Sequence, residues 1–569
     1  MTTSNFALPK DRLWYKTYEQ YGVDYDFEIP EHINSLADSF EEYIATHREN
    51  NVLTFMDKSM TYSELDVASL KIAAYLQSLG LQKGDKVAVM MPNVPQYLIT
   101  MFGIIRAGYT LVNVNPLYTS HELEHQLNDS DTKVLFILEN FAKTFADVKN
   151  KRQVKHVVVA SIGDMLGLKG LVVNLVVKYI KKMVPSYQLD NAVSFKEALN
   201  KVPHSNYKRP QLELDDVAVL QYTGGTTGVA KGAMLTHRNI IANVRQASNF
   251  VQTAFPNGVT KGEYVTIALP LYHIFCFMVS LLAMRIGFSL LLIPNARDFN
   301  DLTKQHSNYR PAFFMGVNTL FNALTNHEGF KNIDHSNLKF SLAGGMSVLP
   351  STAKAWEDMT GCYITEGYGL SETSPVLTVT PPPAGYSGRI GVPLPHTDIR
   401  LLDDAGNEVP FGEPGEICAK GPQVMKGYYK RDDETAKVMT DDGFFRTGDI
   451  GIIDEEGYIK IVDRKKDMVL VSGFNVYPNE VEAAISAHPK VLECGVIGVS
   501  DEYSGEMVKA YIVKKDETLT EQEIKQWAKE QLTGYKRPKI IEFINELPKS
   551  NVGKILRKDL RKLEEQNKQ

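Results

Sequence analysis

The chain has 569 residues, 43% of them apolar and 23% charged, with a net charge of −6 at pH 7 and a pI near 6.2. That length exceeds one hydrophobic core and implies two or more domains of ordinary soluble composition. The acidic balance argues against nucleic acid as the main partner. Four scattered cysteines, Cys276, Cys362, Cys418 and Cys494, have neither metal-ligand nor disulfide-framework spacing and suit a reducing cytosol.

The opening residues, Met1 to Phe6, hold no basic region followed by an apolar one, so no signal peptide is expected. No apolar run is long enough to span a bilayer. From about residue 50 to 300 strand and helix patterns alternate. Residues 86–91, 109–114, 134–138 and 157–160 read as buried strands, and 95–107 as helix. Such alternation predicts mainly parallel sheets with helices on both faces. Residues 166–184 read LGLKGLVVNLVVKYIKKMV, apolar but broken by Lys169, Lys178, Lys181 and Lys182. As a helix this segment either lays Leu171, Val172, Leu175 and Val176 into a membrane interface or packs on the protein's own surface or a subunit contact. From about 390 to 462 short strands between Gly and Asp turns predict a β-rich subdomain. Five consecutive charged residues, 463–467, then mark a boundary. Beyond it, helix 480–487, strands 494–499 and 508–513, and helix 521–531 predict a small α+β domain.

The densest chemistry lies in Tyr222-Thr223-Gly224-Gly225-Thr226-Thr227-Gly228-Val229-Ala230-Lys231-Gly232. Glycines admit close approach of a polyanion, hydroxyls and backbone N–H groups donate to phosphate oxygens, and a lysine adds a mobile charge. The order Ala230-Lys231-Gly232 excludes a Walker loop, which needs Gly-Lys followed by Ser or Thr. Three further polar turns follow: Tyr368-Gly369-Leu370-Ser371-Glu372-Thr373, Gly443 to Asp449, and Pro548 to Lys554.

Taken in this order, the four motifs resemble the adenylate-forming superfamily of acyl-CoA synthetases, adenylation domains and luciferases, over about residues 30 to 560. The stretch 442–466, DGFFRTGDIGIIDEEGYIKIVDRKK, is similar to the signature of fatty acyl-CoA synthetases. With YTGGTTGVAKGAMLTH at 222–237, the chain resembles the bacterial long-chain-fatty-acid–CoA ligase family. The resemblance implies a large N-terminal domain, 1–462, of doubly wound α/β sheets (30–390) and a β-rich subdomain (390–462). It also implies a mobile C-terminal domain, 463–569, turning on Asp463. ATP, CoA and a fatty acid are the implied substrates, and Mg2+ the implied cofactor.

By the same resemblance, Tyr222 to Gly228 and Lys231 hold phosphates, and Thr223 and Glu372 hold Mg2+. Tyr368, Gly345 and Gly367 line the adenine pocket beside Ser371, with Gly344-Gly345 matching the family's glycine pair. Asp449 takes the ribose hydroxyls, Arg464 reaches the phosphates, and Lys554 bridges carboxylate and α-phosphate during adenylation. Ser472 and Gly473 meet CoA, while His273, Phe275 and Phe277 face the acyl group. Glu366 stands where many relatives have glutamine or asparagine, which leaves the polar contact to the base open. A medium-chain or aryl acid ligase, a fatty acyl-AMP ligase, and a non-enzymatic lipid-binding protein with a vestigial nucleotide site are the rival readings. The implied location is cytoplasmic, peripheral on the inner face of the membrane. A homodimer stays open.

Overall fold

In the computed structural model, residues 12–151, 153–223, 230–472, 474–501, 503–550 and 553–567 are described. The expected phosphate-loop residues Gly224, Gly225, Thr226, Thr227 and Gly228, and the CoA-contact residue Gly473, lie outside them.

The alternation in the first half becomes two large sheets. Seven strands form one, in the order Val193–Ser194, His156–Ala160, Thr132–Leu138, Lys86–Met90, Thr110–Asn113, Val217–Thr223 and Lys231–Thr236. All neighbours are parallel except the last pair. Nine strands form the other. Its centre is parallel, running from Ile364–Gly369 through Phe340–Ala343, Phe313–Gly316, Tyr264–Ile267 and Ser289–Leu292 to Asn51–Phe55. Parallel neighbours need long crossovers, and helices supply them. Helix Pro95–Arg106 is buried at all 12 positions, and Ile274–Ile286 through Met284. A helix apolar on all sides belongs inside a large core.

The β-rich region is a four-stranded antiparallel sheet of Asp398–Leu402, Gly415–Lys420, Phe445–Ile453 and Ile459–Arg464. The C-terminal region is a five-stranded sheet with helices Pro478–Ser486, Glu521–Gln531 and Arg557–Asn567. The break expected after Val462 falls inside a strand, because Asp463 pairs in register with Ile450 and Arg464 with Asp449. Asp463 is fully buried, unlike the solvated turn that a charge run usually makes.

The 166–184 segment forms helix Leu168–Leu175 continued by a π turn, Val176–Ile180. Only Gly170 and Val177 are buried, while Leu168, Leu171, Val172 and Leu175 face outward. Val173 and Val177 touch the body of the protein, and most of the apolar face does not. Among the described residues, no helix is long and apolar enough to cross a membrane.

The two large sheets are joined by buried amides. The Asn93 side chain follows strand Lys86–Met90 and donates to the carbonyls of Ile267, Leu269 and Ile293 at 2.9–3.1 Å, while accepting from the Leu271 N–H at 2.8 Å. Tyr97 donates to Asn113 Oδ1 at 2.7 Å and lies 3.0 Å from the Leu271 carbonyl. Asn113 donates to Gln221 Oε1 at 3.0 Å, and Gln221 donates to the Tyr272 carbonyl at 3.3 Å. The first sheet therefore holds residues 267–272, the approach to His273, through side chains that water cannot replace. Asn93→Ala should leave several buried backbone groups unpaired and cost about 3 kcal/mol. A lowered urea midpoint checks this, and an unchanged midpoint would contradict it.

Candidate active site

A cleft of about 1800 Å³ opens between the nine-stranded sheet, the four-stranded sheet and the C-terminal region. Thr223, Lys231, His273, Phe275, Gly344, Gly345, Glu366, Gly367, Tyr368, Ser371, Glu372, Asp449, Asp463, Arg464 and Lys554 all line it. Tyr222, Phe277 and Ser472 do not.

Strand alternation separates Tyr222 from Thr223. Thr223 faces the cleft, while the Tyr222 hydroxyl donates to Asp129 at 2.6 Å and its ring packs against Gly232. The Tyr222 side chain therefore turns away from the cleft. Phe277 points into the core one helical turn beyond His273 and does not line this cleft. Ser472 is exposed with φ +51°, its N–H donating to the Ser504 carbonyl at 2.8 Å.

Lys231 opens the antiparallel edge strand Lys231–Thr236. Residues 426–429 pair with that strand: the Tyr429 N–H donates to the Gly232 carbonyl and the Met234 N–H to that of Gly427. This pairing sets the Tyr428 ring centroid 4.9 Å from the Lys231 ammonium and lets the Tyr428 hydroxyl donate to Glu372 Oε1 at 2.7 Å. Lys231 forms an ion pair with Glu434. Burial raises the Glu372 carboxyl above its ordinary value, against the hydrogen bond from Tyr428. A buried carboxyl of that kind suits a cation brought close to it. Among the described residues no cluster of three or more His, Cys, Asp or Glu side chains could hold a metal alone. The donors fit Mg2+ arriving with phosphate oxygens, since that ion takes only one or two protein ligands in such sites.

Glycines shape the base side of the cleft. A Cβ on Gly344 would lie 2.8 Å from the Phe275 ring, and Gly345 has φ +77°. Tyr368 donates to Asp449 Oδ2 at 2.7 Å. The other Asp449 oxygen accepts from Arg464 Nε at 2.9 Å. Arg464 thus pairs with Asp449 rather than standing free for phosphate. The Glu366 Oε1 accepts from the Val348 N–H at 3.0 Å, while its buried Oε2 has no partner. Burial pushes this carboxyl up to about 7.

His273 caps helix Ile274–Ile286, its Nδ1 accepting from the Phe275 N–H at 3.4 Å. Burial, then the nearby Lys554 charge, pushes its pKa down to about 4, so the ring is neutral at physiological pH. Lys554 comes from the distant C-terminus. Gly553 makes its approach possible: φ is +79°, and a Cβ there would lie 2.4 Å from Thr319 Oγ1. Thr319 donates to the Gly553 carbonyl at 3.3 Å. Burial, with Arg464 adding to it, pushes the Lys554 ammonium down to about 8.

Asp463 is held by three groups. It accepts from the N–H groups of Arg464 and Asn479, both at 2.7 Å, and from Arg557 at 2.9 Å. Arg557 also grips Glu482 at 2.8 Å. Tyr428, Glu434, Thr319 and Arg557 escaped the motif reading. Each acts through a partner more than 50 residues away, and no local spacing signals that.

The profile of the AMP-binding enzyme family matches residues 40–429, and that of the AMP-binding enzyme C-terminal domain matches 480–554. A long-chain-fatty-acid–CoA ligase of Escherichia coli O6:H1 is 51% identical over 547 residues, covering 95% of this chain and 97% of that one. One from Bacillus subtilis is 37% identical, covering 96% of this chain and 98% of that one. Among solved structures, the anthranilate CoA ligase AuaEII with anthranoyl-AMP superposes with TM-score 0.83 at 25% identity, covering 94% and 98% of the two chains. ATP-bound MatB from Rhodopseudomonas palustris gives 0.79 at 29%, covering 93% and 99%. The chain therefore belongs to the AMP-binding enzymes and, within them, to the long-chain-fatty-acid–CoA ligase family.

Proposed function

We infer that the protein activates long-chain fatty acids to acyl-CoA. The fatty carboxylate attacks the α-phosphorus of ATP to give acyl-adenylate and pyrophosphate. The CoA thiol then displaces AMP. The observation that carries this reading is the near-complete alignment with long-chain ligases of a chain whose Lys231, Glu372, Asp449, Arg464 and Lys554 share one cleft. Such chemistry rests on positioning and charge neutralisation more than on covalent catalysis.

Residue roles follow from that cleft. Lys554 is assigned the bridge between carboxylate and α-phosphate, supported by its reach beside His273, Arg464 and Asp449. Asp449 is assigned the ribose and Tyr368 the adenine face. Lys231 is assigned the outer phosphates, which would take it from Glu434, and Arg464 would leave Asp449 for phosphate. Glu372 and Thr223 would hold Mg2+, which neutralises phosphate charge when bound. The Phe275 ring beside Gly344 and His273 is assigned the start of the acyl path. Residues 1–462 and 463–569 are read as the two domains, with Asp463 as hinge. Turning there must break its bonds to Arg557 and Asn479, after which Lys554 leaves and the Ser472 turn brings CoA's arm toward the acyl group.

Residues 166–184 are read as a peripheral contact with the inner membrane face. Segment 166–184 carries four lysines and no acid in a chain of net charge −6, and Leu168, Leu171, Val172, Leu175, Ile180 and Met183 are exposed. Anionic headgroups complement the lysines while the apolar face enters the interface.

Pyrophosphate release with Mg2+ and ATP, across acids from acetate through octanoate to oleate and coumarate, tests the activity. A maximum at twelve to eighteen carbons, with AMP and thioester formed only when CoA is present, is expected. A maximum on another acid would move the substrate, and pyrophosphate without thioester would point to an acyl-AMP ligase. Lys554→Ala should abolish adenylate formation yet spare thioester formation from supplied acyl-adenylate. The ammonium is the required form and is lost as pH rises through about 8. Wild-type kcat/KM for adenylation should therefore fall about tenfold per pH unit above that point, a limb absent from the thioester step. Equal loss of both steps would overturn the Lys554 role. Val172→Asp should lower co-sedimentation with phosphatidylglycerol vesicles at least tenfold, and undiminished binding would remove the membrane reading.

A further inference from the structure

A second cavity, of about 420 Å³, lies apart from the cleft and shares none of its lining residues. Its floor is apolar, built from Leu53, Met60, Ala68, Pro95 and Leu166, all buried, with Leu199 at one side. Its rim carries Lys58, from strand Lys58–Thr61, and Lys71, from helix Tyr62–Gln77. Neither lysine makes an ion pair or hydrogen bond among the described residues. The one acid on the rim, Glu64, accepts from the Thr61 N–H at 2.8 Å in the cap of its own helix. Two free ammonium groups thus stand over an apolar floor, against one engaged carboxylate.

The same cavity adjoins the exposed amphipathic helix. Met165 and Leu166 line it, and Gly167, with φ +61°, turns the chain directly into helix Leu168–Leu175. That helix is seated firmly: a Cβ on Gly170 would lie 1.9 Å from the Gly163 carbonyl oxygen, and Asn174 accepts from the Gly163 N–H at 2.8 Å. Lys169 donates to the Met56 carbonyl at 2.6 Å, tying the helix to the hairpin that carries Lys58. Cavity, hairpin and outward apolar face form one platform.

We propose that this cavity is a second, non-catalytic binding site for a free long-chain fatty acid, its carboxylate facing Lys58 and Lys71 and its chain on the apolar floor. The proposal rests on the long-chain reading of the substrate. The chemistry is matched at both ends. A fatty carboxylate supplies the anion that the two lysines lack, and each methylene leaving water strengthens binding about fourfold. Beside a face suited to lipid, the site would hold substrate that has left the bilayer before it reaches the cleft.

The test is photolabelling of the full chain, without ATP, by hexadecanoic acid carrying a diazirine near its terminal carbon, with labelled peptides read by mass spectrometry. The wild type should be labelled within 53–71 or 165–199 as well as at the cleft. Ala68→Trp, which fills the floor, and separately Lys58→Glu with Lys71→Glu, should lower the first label at least tenfold. Both should leave the cleft label and turnover of detergent-solubilised hexadecanoate unchanged. Labelling of the cleft alone, pocket labelling that survives both variants, or equal labelling by a diazirine phosphatidylglycerol would overturn the proposal. The label is read without turnover, so failure of the long-chain ligase reading would show separately, as absent product.

Discussion

The cleft depends on the chain of buried amides that binds the two large sheets. Asn93, Tyr97, Asn113 and Gln221 all belong to the seven-stranded half, and all reach the backbone of residues 267–272 or one another. Apolar packing alone would let two sheets and their helices slide by fractions of a side chain, because the hydrophobic effect is non-directional. Hydrogen bonds to individual carbonyls do not permit that, since a buried polar group left unpaired costs more than a made bond gains. The last carbonyl held in this way is that of Tyr272, immediately before His273. The position of the His273 ring, the start of helix Ile274–Ile286 and the Phe275 ring against Gly344 are consequences of this anchoring.

A second constraint is electrostatic. The cleft gathers several cations, and Lys231 and Arg464 among them are answered by carboxylates within the chain. Lys231 pairs with Glu434, and Arg464 with Asp449. Exchange of one anionic partner for another avoids burying bare charge, which is far costlier than breaking an ion pair. Lys554 lines the same cleft without an ion pair among the described residues. Its neighbour Arg464 is of like sign, which together with burial explains its depressed pKa. The Asp463 carboxylate, by contrast, is gripped by Arg557 and two backbone amides.

The outward helix at 168–180 shows why amphipathic pattern is an ambiguous signal. Its sequence serves equally for packing inward or for facing lipid. The decision falls to Gly163 and Gly170, whose lack of side chains lets the helix approach the body closely and turns Leu168, Leu171, Val172 and Leu175 away.

The sequence by itself determined the alternation of buried strands and helices, the β-rich segment, the α+β tail and the order of the four polar turns. These are local properties: period, turn chemistry and motif spacing are written in consecutive residues. Strand ends differ from the expected ones by up to three residues, and near 463 ladder pairing with Phe445–Ile453 carries the strand two residues into the charge run. Tertiary structure alone decided that Tyr222 turns from the cleft while Thr223 enters it, and that Tyr428 and Glu434 attend Lys231. It also decided that Asp449 is already engaged and that Lys554 crosses to His273 over Gly553. Each of these joins residues far apart in the chain, and no local spacing encodes which distant side chain will complete a buried charge or fill the space a glycine leaves.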